Sequence, residues 1–185
     1  MTLRIEHRIG INAPAETIWE IVSDIPSWAA WNPLYPQAAG VIRIGETLRL
    51  TQALPGQKPE AITPRVLDWV PYEQLHWVNS AGGGLVKSIR YIEIEKLDED
   101  SCIFSNGELF SGLIGEFVAK RMRHPLRGGF AAMSEALKVK AEALYATQPQ
   151  REKVMVELPK AITPIEPMAA KPVGRHKALY RPGAR

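Results

Sequence analysis

Six short strand-like runs follow one another with no helix between them: "GVIRI", "ETLRLTQAL", "ITPRVLDWV", "QLHWVNS", "KSIRYIEIEKL" and "SCIFSNGELF". The segments that punctuate them, "IGE", "LPGQKP", "VPYE", "SAGGG" and "LDEDS", carry the Gly, Pro and Asp chemistry of hairpin connections. Strands joined by such short turns pair antiparallel, because a parallel pair needs a crossover of about a dozen residues or more. The amino-terminal "LRIEHRIGIN" alternates apolar with polar residues and adds a half-buried strand, for about seven in all.

Helical signals stand on either side of this meander. Pro14 suits a first helical position, where a missing N–H costs nothing, and Glu16 lies in the first turn near the positive helix end. Ile18, Ile21 and Val22 form the buried stripe, with Trp19 beside it and Glu20 outside. Ser23, Asp24 and Pro26 end that helix, and "SWAAWN" allows one further turn before Pro33 and Pro36 impose an extended path. After the strands, Leu113, Phe117, Phe130, Met133, Leu137, Ala141 and Leu144 recur mostly at three or four residues and predict the longest helix. Pro125, with Gly128 and Gly129, is expected to kink or break its first half. An antiparallel sheet followed by one long helix buries its inner face by curling around that helix, an α+β architecture that leaves a space between the two.

Length and composition bound this reading. With 185 residues, 45% of them hydrophobic, the chain builds one good core and is short for two domains. The domain is expected over 1–147. Beyond it, 148–185 holds six prolines, eight Lys and Arg against three acidic residues, and no sustained period, the composition of a disordered basic tail. Residues 1–147 carry 15 Lys and Arg against 17 Asp and Glu, so the net charge of +3 belongs to the tail and the body has no footprint for nucleic acid. The single cysteine, Cys102, excludes an intrachain disulfide and reads as a buried thiol in a reducing compartment. No apolar run approaches the roughly 20 residues of a membrane span, and the amino terminus lacks a signal-peptide core, so a cytoplasmic location is expected.

"INAPAETIWEIVSDIPSWAAWNPLY", "VLDWVPYEQLHW", "GELFSGLIG" and "GGFAAMSEALKVKAEAL", set in this element order, resemble the START-like, Bet v 1-like (SRPBCC) superfamily. Within it the chain is similar to the polyketide cyclase/dehydratase and lipid-transport group. The resemblance covers Leu3 to about Tyr145 and implies the helix-grip fold, with Trp28 and Trp31 walling one end of a hydrophobic ligand cavity. Ordinary core tryptophans are the plainer reading of both. None of the matching segments is catalytic, so they carry the fold rather than an activity.

No strong chemical motif is present. "AGGGL" lacks the Lys-Ser/Thr of a phosphate loop, and His7, His76, His124 and His176 are scattered without metal-ligand spacing. No G-x-S-x-G occurs, and neither a metal nor a cofactor is called for. What remains is the inner sheet face. In "KSIRYIEIEKL", Glu93 and Glu95 belong in water, which turns Ser88, Arg90, Ile92 and Ile94 inward. In "CIFSNGELF", Phe104, Asn106, Glu108 and Phe110 share one face, and the resemblance assigns that face to the cavity. "QLHWVNS" favours Leu75, Trp77 and Asn79 inward, although Val78 shares the face of His76 and blurs the pattern.

Charges on an apolar face are costly unless paired, and Arg90 and Glu108, from neighbouring strands, are placed to pair. They form a buried ion pair, or one of them lies at the mouth in water, or Arg90, Asn106 and Glu108 are the few polar anchors of an apolar ligand pocket. The run "AKRMRHPLR" sets four cations at the start of the last helix; it is a solvated face, or it flanks the cavity entrance and attracts an anionic head group or membrane surface. Phe117, Met122, Phe130 and Met133 would then supply the apolar wall.

Three functions fit. The first is a carrier or sensor that takes a lipid, quinone or polyketide-like molecule into the cavity. The second is an enzyme of the aromatase/cyclase kind with Glu108 as general acid or base, against which stands the expectation that Arg90 lowers the pKa of Glu108. The third is an interaction module whose basic tail docks on an acidic partner or a membrane. The first is favoured, and oligomeric state leaves no signature.

Overall fold

The computed structural model describes residues 2–148, and residues Met1–Pro149 form one compact unit. The expected tail, 148–185, lies outside the described residues but for its first. In chain order the elements are β1 (Leu3–Ile11), α1 (Ala15–Ser23), a 3-10 turn (Ile25–Ala30), β2 (Gln37–Ala39), β3 (Arg49–Gln52), β4 (Glu60–Ile62), β5 (Arg65–Val70), β6 (Gln74–Ala81), β7 (Val86–Asp98), β8 (Ser101–Ser111) and α2 (Gly115–Thr147). The fold is α+β, a large antiparallel sheet wrapped around a long carboxy-terminal helix, the helix-grip arrangement.

Among the described residues there are eight strands, close to the seven or so expected, and they form a five-stranded sheet, β1-β8-β7-β6-β5, and a three-stranded one, β2-β3-β4. "GVIRI" is not a strand; Gln37–Ala39, just before it, is. "ITPRVLDWV" contributes to both sheets, because it is divided at Thr63 and Pro64, where proline has no N–H for a ladder. The two sheets stay in touch across that bend: Leu48 donates its amide to the Pro64 carbonyl at 2.8 Å, and Val66 donates to the Glu46 carbonyl at 2.8 Å.

The last helix runs unbroken through Pro125, which corrects the expected interruption. Pro125 withholds its N–H from the carbonyl of Arg121, an exposed residue, so water can take the bond that the helix loses. Gly128 and Gly129 serve close approach instead. A Cβ on Gly129 would sit 2.9 Å from side-chain carbons of both Leu34 and Leu54, and one on Gly128 would sit 3.2 Å from Pro55. Two loops therefore close onto the helix at this point, forming a seam.

The stripe that packs on the sheet is Ala119, Leu126, Phe130, Met133, Leu137 and Ala141, all buried. Leu113 and Phe117 do not belong to it: Leu113 precedes the helix and is 86% exposed, and Phe117 is 70% exposed. Phe117 lies two residues from Ala119, about half a turn off the buried line. Leu144 is also at the surface.

Candidate ligand-binding site

Strand alternation assembles the interior. On β7, Ser88, Arg90, Ile92 and Ile94 are buried, while Glu95 is exposed and Glu93 half-buried. On β8, Cys102, Phe104, Asn106, Glu108 and Phe110 are buried, and the register sets Arg90 opposite Glu108 and Ile92 opposite Asn106. On β6, Leu75 and Trp77 are buried, with His76 and Asn79 half-buried.

Register neighbours do not make an ion pair here. No Arg90–Glu108 contact within 4.0 Å occurs among the ion pairs of the described residues, which corrects the expected mutual pairing. The Arg90 guanidinium turns toward the backbone, where Nη1 donates to the carbonyls of Tyr91 at 2.8 Å and Gly107 at 2.7 Å, and Nη2 donates to Asn106 Oδ1. Its plane lies over the Phe130 ring, 4.1 Å from the centroid, and 5.5 Å from that of Trp77. Asn106 continues the chain: its Nδ2 donates to the Phe130 carbonyl at 3.0 Å and to Ser134 Oγ at 3.3 Å. Arg90 and Asn106 thus bolt β7 and β8 to α2. Each bond of this kind, made in a low-dielectric interior, is worth about 1 kcal/mol net, more where a charge is involved.

Three nearby atoms are left out of that network. Arg90 Nε, Glu108 Oε2 and the Tyr35 hydroxyl are buried with no hydrogen-bond partner among the described residues. The register sets Arg90 opposite Glu108, and Tyr35 and Arg90 both lie against Trp77, so the three share one neighbourhood; burial raises the Tyr35 phenol, with Arg90 acting to lower it and the Glu108 carboxylate to raise it further. Glu108 is likewise raised, by burial, against the opposing pull of the Ser88 hydroxyl and the Arg90 charge. The expectation that Arg90 depresses Glu108 had the right sign for the charge but is outweighed by desolvation.

Aromatic rings enclose these atoms. Trp28 stacks on Tyr35 at 5.5 Å and lies 6.3 Å from Trp77 and 6.4 Å from Trp31, and Tyr35 meets Trp77 edge-on at 6.5 Å. Trp28 is fixed by its own Nε1, which donates to the Val22 carbonyl at 3.0 Å. Trp31 is half-buried, with a buried Nε1 that has no partner among the described residues. Of the residues expected at the site, Trp28, Trp31, Trp77, Arg90, Ile92, Phe104, Asn106, Glu108 and Phe110 face the interior, and Met122 is half-buried against the core. Phe117 points away from it and is corrected to a surface residue. Tyr35, Ser134 and the seam were not foreseen; for Tyr35 the only signal is its place between Pro33 and Pro36, whose fixed backbone aims the ring inward.

Trp28, Tyr35, Trp77, Arg90, Phe104 and Phe130 are among the largest fully buried side chains of the domain. A depression of about 240 Å³ lies on the seam, lined by Leu34, Leu54, Pro55, Gly129 and Ala132 among others. Its lining residues Leu34 and Gly129 are the sequence neighbours of the buried Tyr35 and Phe130. A second, of about 460 Å³, opens elsewhere between Glu16, Tyr72, Glu73, Glu93 and Glu95.

Solved structures share this architecture. The Zhui aromatase/cyclase from a Streptomyces species superposes with a TM-score of 0.63 at 16% identity, covering 77% of this chain and 94% of that one. A START superfamily protein from Mycobacterium smegmatis gives 0.59 at 23% identity, covering 76% and 98%. Norcoclaurine synthase from Thalictrum flavum, in complex with dopamine and hydroxybenzaldehyde, gives 0.58 at 22%, covering 81% and 90%. At these identities the likeness is one of fold. No curated protein matches the sequence significantly. The family model described as polyketide cyclase / dehydrase and lipid transport matches residues 2–142, so the chain belongs to that family, which implies a hydrophobic ligand-binding fold.

Proposed function

We propose that the domain is a receptor, acting as carrier or sensor, for a small apolar molecule that bears one or two oxygen functions, of the lipid, quinone or polyketide-like class. The observation that carries this reading is the trio Arg90 Nε, Glu108 Oε2 and Tyr35 hydroxyl, buried without partners inside an aromatic enclosure. A buried polar group left unsatisfied costs about 1–3 kcal/mol, so retaining several side by side is favourable when a ligand completes them. With its pKa raised, Glu108 can hold a proton and donate to a carbonyl oxygen, as can Tyr35. Apolar walls with a few convergent polar atoms are the general recipe of a small-molecule site. The two molecules bound by norcoclaurine synthase, dopamine and hydroxybenzaldehyde, are small aromatics with polar substituents and fit the same description. Entry proceeds by parting the seam at Leu34, Leu54 and Gly129, which lies one residue from both Tyr35 and Phe130.

The test is titration of the full chain with a short-chain quinone, a medium-chain fatty acid and a polyphenolic aromatic, following tryptophan emission and the melting temperature. Saturable quenching with a raised melting temperature for at least one class is expected. Flat responses to all three would contradict the reading. The raised pKa of Glu108 favours a second reading, a cyclase/dehydratase with this carboxyl as general acid. Glu108→Gln keeps a hydrogen-bond donor, so under that reading it retains binding and loses turnover of whichever probe is converted; unchanged turnover removes Glu108 from the mechanism.

A further inference from the structure

The five-stranded sheet has two unlike ends. At one end lie the turn before β7, the residues after β8 and the start of α2. Leu85, Leu113, Ile114 and Phe117 cluster there and are 46%, 86%, 43% and 70% exposed. They are contiguous: the Ile114 amide donates to the Leu85 carbonyl at 3.3 Å, and the Val118 amide donates to that of Ile114, which seats Phe117 on the first turn beside Leu113. Four neighbouring large apolar side chains in water are unusual for a surface that serves no purpose. Along the helix from Phe117, Lys120, Arg121 and His124 follow at i+3, i+4 and i+7 on the same outward face, all exposed, while Arg127 is exposed at its border and Arg123, half a turn from Arg121, is exposed on the flank of the helix.

Only Lys120 is matched, by Glu116 at 2.8 Å; Arg121, Arg123 and Arg127 face no carboxylate within 4.0 Å among the described residues. The opposite end of the sheet is acidic, with Glu16, Glu73, Glu95, Asp98 and Glu99 exposed around the β5–β6 and β7–β8 turns. The domain is therefore polarised in charge, cationic at one pole and anionic at the other; Val70, Tyr72 and Leu97 are exposed at the anionic pole, among its carboxylates.

We infer that this apolar, cationic pole docks on an anionic phospholipid bilayer, with Leu113 and Phe117 inserted at the headgroup level and Lys120 and Arg121, on the same face of the helix as Phe117, against the lipid phosphates and carboxylates. No helix among the described residues is long and apolar enough to cross a membrane, so the contact is peripheral. Apolar insertion and electrostatic attraction are the two terms that add in such binding, and the acidic pole is repelled from the same surface and fixes the orientation. The inference rests on exposure and charge and does not require the ligand reading to hold.

The experiment is flotation of the full chain with phosphatidylcholine vesicles containing roughly 30% phosphatidylserine, and with phosphatidylcholine alone. Binding to the anionic vesicles is expected, and Leu113→Glu with Phe117→Glu should weaken it roughly tenfold or more, as should Lys120→Glu with Arg121→Glu. These side chains are exposed, and an unchanged melting temperature checks that the variants are folded. Absence of binding by the natural chain overturns the inference. Wild-type affinity in either double variant does so as well, and assigns vesicle binding to 148–185. A dimer that dissociates on Leu113→Glu with Phe117→Glu, in a chain that ignores vesicles, assigns the face to self-association instead.

Discussion

The β7–β8 pair carries a polar cluster on each of its faces, and the two differ in completeness. Outside, the Tyr91 hydroxyl donates to Glu6 at 2.6 Å and accepts from Arg4 Nε at 2.6 Å, and Arg4 also bridges to Glu6. Tyr91 lies flat over Gly107, where a Cβ would overlap the phenol. Every member there has a protein partner, and the cluster needs nothing more. Inside, the two Arg90 Nη atoms and the Asn106 amide are satisfied to the same degree, yet Arg90 Nε, Glu108 Oε2 and the Tyr35 hydroxyl are not. The same two strands thus hold a finished structural network and an unfinished one, and burial makes the unfinished one the costlier to leave open.

The largest effect expected from breaking this contrast is that of Arg90→Met. It leaves the Tyr91 and Gly107 carbonyls and the Asn106 amide buried without their donor, and about 3–5 kcal/mol of stability should be lost in urea unfolding. Next comes the outer face: Gly107→Ala forces the Tyr91 ring off its seat, for a loss of about 1–3 kcal/mol. Tyr91→Phe should cost less, about 1 kcal/mol, since its partner Glu6 is only half-buried and can turn to water.

Glu108 sharpens the comparison through pH. Its folded pKa lies above the ordinary 4.5, so the folded chain holds this proton more tightly than the unfolded chain does. The stability it contributes is complete below the unfolded value and is lost as pH rises through the folded one. Urea midpoints measured upward from about pH 4.5 should therefore show a falling component in the natural chain that Glu108→Gln abolishes. The smallest effect is that of Tyr35→Phe. Its hydroxyl makes no hydrogen bond of normal geometry among the described residues, with Arg90 and Gln52 the polar groups that act on it, so the unfolding free energy should stay within about 0.5 kcal/mol of the natural chain while affinity for an oxygen-bearing probe falls.

Alternation made the inner face legible. The need to keep Glu93 and Glu95 in water was enough to turn Ser88, Arg90, Ile92 and Ile94 inward, and Phe104 and Phe110 oriented Asn106 and Glu108 in the same way. What a guanidinium does once inside was not legible. The choice of the Tyr91 and Gly107 carbonyls over Glu108 depends on side-chain reach across a register that periodicity does not specify. Helical period also failed at its edge. Leu113 and Phe117 are four apart like the core residues, but Leu113 precedes α2 and Phe117 falls on another of its faces, and only the packing fixes the phase. Tyr35 and the seam were hidden for the same reason, since Leu34 and Leu54 meet Gly129 from about 95 and 75 residues away along the chain.

Native mass spectrometry of the gently purified full chain, set beside the Tyr35→Phe, Glu108→Leu double variant, probes the unfinished inner network most directly. A small apolar molecule should travel with the natural chain and be largely absent from the double variant, which keeps Arg90 and Asn106 in place. Identical spectra from the two proteins, both bare or both carrying the same adduct in the same amount, would contradict the account.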